Sequence, residues 1–93
     1  MSLRYAQRRD KNEPEIVQAL RGVGAVVEYM DASAAFDLLV IWFGSIYIAE
    51  VKQPGEKLTP NEQALADRLA GVGGHLHIWH NPEEALATIG AIW

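Results

Sequence analysis

Apolar positions along the 93-residue chain fall into two rhythms. Over residues 11–22, KNEPEIVQALRG, the residues Ile16, Val17 and Leu20, with Ala19, recur at helical spacing and make one apolar stripe. Asn12 stands in the N-cap position, Pro14 lies in the first turn where its missing N–H costs nothing, and Gly22 or Gly24 supplies the stop. The rhythm then shortens. AVVEYM (25–30) reads as a short strand and residues 31–34 as a loop. AFDLLVIWF (35–43) and IYIAEVK (46–52) read as two strands joined by a two-residue turn of the Gly-X type at Gly44-Ser45.

Beyond the Pro-Gly pair of QPGEKL, Thr59 opens a second helix through Thr-Pro-Asn-Glu, a capping box with proline at its first position, and the helix runs to about Ala70. GGHLHIWH (73–80) reads as a fourth strand, and NPEEALATIGAI (81–92) as a final helix with Asn81 as cap and Pro82 in the first turn. The order α, three strands, α, strand, α predicts an α/β fold. It is an antiparallel meander extended by a parallel fourth strand through a helical crossover, with helices covering the sheet.

Three charges interrupt the greasy hairpin. Side chains alternate along a strand, so Glu50 and Lys52 share a face about 7 Å apart. With the turn at Gly44-Ser45, Phe43 pairs with Ile46 and Asp37 falls opposite Lys52, with Glu50 on the diagonal; a turn one residue earlier sets Asp37 opposite Glu50. Either register keeps all three on the face of Leu39, Ile41, Ile46 and Ile48. Burying them unpaired costs several kcal/mol per ion, so they pair, reach solvent or bind something. One reading is a self-satisfied Asp–Lys–Glu bridge. The other is a magnesium site, because two carboxylates on neighbouring strands can converge on a hard cation that takes oxygen ligands at about 2.0–2.1 Å.

Composition narrows the class. Half the residues are apolar (49%), 22% are charged and no repeat occurs, which is the profile of one small globular domain behind a polar leader at residues 1–10. The apolar run from Leu38 to Phe43 is far short of the roughly 20 residues of a membrane helix, and no signal-peptide pattern opens the chain, so a cytoplasmic protein without a membrane partner is expected. Zero cysteines exclude disulfides, thiolate zinc sites and cysteine nucleophiles. A net charge of −4 argues against strong non-specific nucleic-acid binding, although Arg4, Arg8, Arg9 and Lys11 form a basic segment that reads either as a solvated tail or as an arm contacting phosphate.

The spacing D37-LLVIWFGSIYIA-E50-V-K52 resembles the signature of the PD-(D/E)XK nuclease superfamily. DKNEPEIVQALRGVGAVV before it and KLTPNEQAL after it resemble the small stand-alone VRR-NUC domains, often phage-borne, and more distantly the archaeal Holliday-junction resolvases. The resemblance covers residues 9–90 and implies a restriction-endonuclease-like α-β-β-β-α-β core with a mixed central sheet, making residues 11–93 a single nuclease domain. It implies a Mg²⁺-dependent DNA endonuclease, with Mn²⁺ as a substitute, selective for Holliday junctions or other branched DNA. In it Asp37 and Glu50, with the Val51 carbonyl, become metal ligands and Lys52 the catalytic lysine. Glu13 completes the site or holds a metal-bound water, with Glu15 as its alternate, and Gln63 matches the polar residue after the Thr-Pro turn. Phe36 stands where the family usually has proline, and MDASAA lacks the family's Gly-Pro-rich loop.

A resolvase cuts two strands and this chain has one site, so a homodimer is expected. Other readings were weighed. His75 and His77 share a strand face with His80 nearby, yet no Cys or His-Glu-x-x-His motif supports zinc. GVGA and GVGG read as helix stops, and Trp42, Trp79 and Trp93 are either packing residues or stacking platforms for bases. A catalytically silent nuclease-fold module, binding nucleic acid or a protein partner, is the alternative function.

Overall fold

A computed structural model describes residues 10–92. Arg4, Arg8, Arg9 and Trp93, with residues 1–9 of the proposed leader, lie outside the described residues; of the basic arm only Lys11 is described, and it is exposed. The elements are α1 (Glu13–Gly22), β1 (Val26–Tyr29), β2 (Leu38–Trp42), β3 (Ser45–Val51), α2 (Pro60–Ala70), β4 (Leu76–Trp79) and α3 (Pro82–Ile89). The strands lie side by side in sequence order, the first three antiparallel and β4 parallel to β3, which is the mixed α/β sheet the pattern predicts.

Local chemistry starts two of the helices as expected. Thr59 accepts the Glu62 N–H while the Glu62 carboxylate accepts the Thr59 N–H, completing the capping box of α2. Asn81 accepts the Glu84 N–H at 2.8 Å and starts α3. That helix ends at Ile89, short of the expected Ile92, because Gly90 adopts φ 85°, a left-handed cap open to glycine. Asn12 is different. It makes no cap bond; its amide instead donates to the carbonyls of Lys52 (3.1 Å) and His80 (2.7 Å), tying the start of α1 to the ends of β3 and β4.

The core sits on one face of the sheet. Ile16, Val17 and Leu20 of α1 and Ala85 and Ile89 of α3 pack on Val27, Leu38, Val40, Ala49, Val51 and Trp79, and burying each large aliphatic there contributes about 1.5–3 kcal/mol. Trp79 is 1% exposed with its indole N–H on Thr88, and Trp42 packs against the same cluster, so both serve as packing residues. The opposite face carries Leu39, Ile41, Ile46 and Ile48 in register, and among the described elements only α2, which buries none of its residues, lies on it, against β4. Val26 (52%), Ile46 (64%) and Ile78 (39%) therefore stay exposed on that face.

The hairpin register corrects one expectation. Trp42 pairs with Ser45 and Leu38 with Ala49, so the turn residues are Phe43 and Gly44 rather than Gly44-Ser45. Phe43 at φ 48° and Gly44 at φ 80° make the two left-handed positions of a type I′ turn, whose twist matches that of the flanking strands. The paired register ends at Leu38 and Ala49; Asp37, just before it, donates its N–H to Ala49 O, so it leaves the regular ladder and is not paired with Lys52.

Phe43 holds its left-handed conformation while 88% exposed, with one edge-on contact to the Trp42 ring as compensation. A left-handed L-residue costs about 1–2 kcal/mol, whereas Asn tolerates it. Phe43→Asn is expected to stabilise the fold by about 0.5–1 kcal/mol, a Tm rise of several degrees in a domain this size. An unchanged or lower Tm by calorimetry contradicts the strain assigned to this turn.

Candidate active site

Where β2 begins and β3 ends, the strands leave a cavity of about 280 Å³ roofed by the start of α2. Its walls carry Asp37, Glu50, Val51 and Lys52, together with Asp10, Asp31, Glu56 and Glu62. Asp37 is held at three points. Its N–H donates to Ala49 O (3.0 Å), its carbonyl accepts the Met30 N–H (2.9 Å), and its carboxylate accepts the Val51 N–H at 2.8 Å. The side chain thus takes the ladder position a strand carbonyl would have occupied. On a strand the N–H and C=O of one residue face the same edge, so the Val51 carbonyl faces the edge where Asp37 sits.

Glu50 is 3% exposed and its Oε2 is buried without a hydrogen-bond partner. Burial, then the hydrogen bond and repulsion from Asp37, push its pKa far above the usual carboxylate range. Lys52, 5% exposed, answers to other acids: its ammonium lies 2.8 Å from Glu62 and 3.9 Å from Glu56. Burial disfavours that ammonium, yet the Glu62 hydrogen bond and the surrounding acids outweigh it and raise the lysine's pKa. Glu62 shifts the other way, since the Lys52 and Thr59 donors overcome the effect of burial and lower its pKa. Asp10 is raised, by burial first and then by Glu56 and Asp37.

The predicted site residues are thus divided. Asp37, Glu50, Val51 and Lys52 meet in one cavity. Glu13 is buried in the first turn of α1, not a solvated helix-end acid, and it is not on the cavity wall; Glu15 is exposed. Gln63 does not reach the cavity: it is exposed and donates to Asp67 on its own helix at 3.0 Å, because it points about 100° around the helix from Glu62. Glu62, Asp10, Asp31 and Glu56 are the acidic wall residues that the sequence does not single out. Glu62 carried a signal, as the acid of the capping box, but that signal spoke only for its local bond. The histidines do not form a metal centre among the described residues. The His75 and His77 rings touch at 4.7 Å while the His80 ring sits on Glu84.

No group of three or more His, Asp or Glu side chains among the described residues is arranged to cage a metal by itself. Magnesium does not need one, since it is held through one or two carboxylates and keeps several waters. Two carboxylates, a main-chain carbonyl on the same edge and a buried carboxylate oxygen with no partner fit such an ion.

No family model matches the sequence, and no curated protein matches it. Among solved structures a VRR-NUC domain is similar, with a TM-score of 0.69 at 19% identity, over 90% of this chain and 100% of that one. The likeness is one of fold: the chain folds as that VRR-NUC domain does.

The raised Glu50 pKa has a sign that can be measured. The folded metal-free protein holds a proton on Glu50 that the unfolded chain releases near its ordinary value of 4.5, so this group's contribution is full below that pH and drains away as pH rises through neutrality. Glu50→Gln removes the penalty: in EDTA near pH 8 it is expected to be more stable than the wild type by about 1–3 kcal/mol, with the gap closing toward roughly pH 4.5. Mg²⁺ is expected to raise the Tm of the wild type and leave that of Glu50→Gln unmoved. Thermal melts showing a pH-independent gap contradict the assignment.

Proposed function

We propose that this chain is a metal-dependent DNA endonuclease that hydrolyses phosphodiester bonds, selective for branched DNA such as four-way junctions. The single observation that carries the reading is the buried, partnerless Glu50 oxygen beside Asp37, in a cavity that also fixes a lysine. A self-contained salt bridge would have turned Lys52 onto those carboxylates. Lys52 pairs instead with Glu62 and Glu56 and leaves Glu50 Oε2 without a partner, and that oxygen supports a cation there.

Phosphodiester hydrolysis needs a nucleophilic water and stabilisation of the charge that builds on the phosphoryl oxygens. Asp37, Glu50 and the Val51 carbonyl would hold Mg²⁺ or Mn²⁺, which when bound supplies Lewis acidity and a more acidic water. Asp37 has little freedom, since its backbone and carboxylate are both hydrogen-bonded into the sheet. Lys52 stays an ammonium among these acids and can orient the attacking water or neutralise the developing oxyanion. No ligand role is assigned to Glu13 or Gln63, which lie off the cavity wall. Six acids against one lysine repel phosphate, so productive DNA binding is itself expected to depend on the divalent ion. A homodimer would bring two such sites to two strands, and the half-open apolar sheet face leaves surface for it.

The test is cleavage of labelled four-way junction, flap and plain duplex with Mg²⁺, Mn²⁺ or EDTA. Cuts are expected with either metal, absent in EDTA, and reduced about 100-fold or more in Asp37→Ala and Lys52→Ala. Paired symmetric nicks near the crossover are the expected signature on the junction. Binding without cutting in every metal overturns the reading in favour of a silent nucleic-acid-binding module. Light scattering is expected to give about twice the 10.3 kDa chain mass; a single-chain species, with DNA present as well, rejects the dimer.

A further inference from the structure

We propose that Glu62 is the positioning residue of Lys52, holding its ammonium away from Asp37 and Glu50 so that those carboxylates stay open to a metal ion. The inference rests on the nuclease reading above and goes beyond it, since that reading uses the Lys52–Glu62 pair only as an observation and assigns Glu62 no role of its own. A lysine side chain has four flexible bonds and loses about 2 kcal/mol of rotamer freedom when fixed, so an ammonium needs a stiff partner to be held in one place. Left to itself beside two carboxylates, it would fold onto them.

Two acids pair with Lys52 among the described residues, and they are not equal. Glu56 is 3.9 Å away and its side chain is 43% exposed, with its other oxygen on the Gln53 N–H. Glu62 is 2.8 Å away and 16% exposed. The same Glu62 oxygen accepts the Thr59 N–H at 2.8 Å, and the Glu62 N–H returns to the Thr59 hydroxyl at 3.3 Å. The carboxylate that grips the lysine is therefore already bolted to the first turn of α2 by its capping box. Its place in the cavity follows from the helix end, not from a free rotamer. The result is a division of charge: Lys52 is satisfied on the α2 side, and Glu50 Oε2 is left without a partner on the strand side.

Gln also completes a capping box, so Glu62→Gln keeps the helix cap and removes the charge that draws Lys52. Thr59→Ala does the reverse, weakening the cap while leaving the Lys52–Glu62 pair. The experiment follows Mg²⁺-induced thermal stabilisation and junction cleavage in the wild type, Glu62→Gln, Thr59→Ala, Lys52→Ala and the Glu62→Gln/Lys52→Ala double variant. In metal-free buffer Glu62→Gln is expected to melt close to the wild type. It is expected to need about tenfold more Mg²⁺ for half-maximal stabilisation, with kcat at saturating metal down about 10- to 100-fold, as for other groups that orient a metal site from outside it. Thr59→Ala is expected to melt lower with its Mg²⁺ requirement unchanged. In the Lys52→Ala background the Glu62→Gln shift in Mg²⁺ requirement should vanish, because the lysine that closes on the ligands is gone. An active wild type with Glu62→Gln equal to it in both Mg²⁺ requirement and kcat overturns this inference alone, and so does a shift that persists without Lys52. A wild type that neither cuts nor is stabilised by Mg²⁺ or Mn²⁺ overturns the nuclease reading, and this inference with it.

Discussion

The Asp37 carboxylate is hydrogen-bonded into the strand ladder through the Val51 N–H, and most of the site follows from that bond. Because an acid stands in for a strand carbonyl, β2 begins only at Leu38 and the space beside Val51 opens into a cavity instead of closing as sheet. The bond holds Asp37 in the cavity beside the buried Glu50. Two carboxyl groups forced together in low dielectric cannot both ionise cheaply, which is why one of them carries a strongly raised pKa. The carboxylate pair is electrostatically uncomfortable by construction, and relief of that repulsion is what the proposed cation would contribute.

The rest of the fold supplies the rigidity that such discomfort requires. One face of the sheet is closed by α1 and α3 over Leu38, Ala49, Val51 and Trp79, so the residues flanking the site are fixed from behind. Asn12 adds a polar brace, joining the start of α1 to the ends of β3 and β4 through the Lys52 and His80 carbonyls. The other face is only partly covered, and α2 meets it mainly through the Glu62–Lys52 pair and contacts with β4. Site and helix are thus linked by charge where they are weakly linked by packing.

Short-range signals were legible and long-range ones were not. The capping box at Thr59 and the cap at Asn81 involve groups three residues apart, so the sequence alone locates them. Asn12 has the same residue type in the same kind of position, but partners 40 and 68 residues away claim its amide. The hairpin turn was misplaced by one residue for a definite reason: moving both turn residues back shifts the pairing by two, which leaves every side chain on its own face, so alternation cannot distinguish the registers. Gln63 and Glu62 are neighbours on a helix with no buried residue, so no apolar stripe announces which of them turns inward.

The order of strands and helices and the placing of Asp37, Glu50 and Lys52 on one face were determined by the sequence itself, because periodicity and strand alternation act over a few residues. Which face the helices cover, which acid holds the lysine, where the hairpin register lies and where Asn12 spends its hydrogen bonds were decided only in three dimensions. Those outcomes depend on how the elements rotate and slide against one another, and that is governed by contacts between residues far apart in the chain.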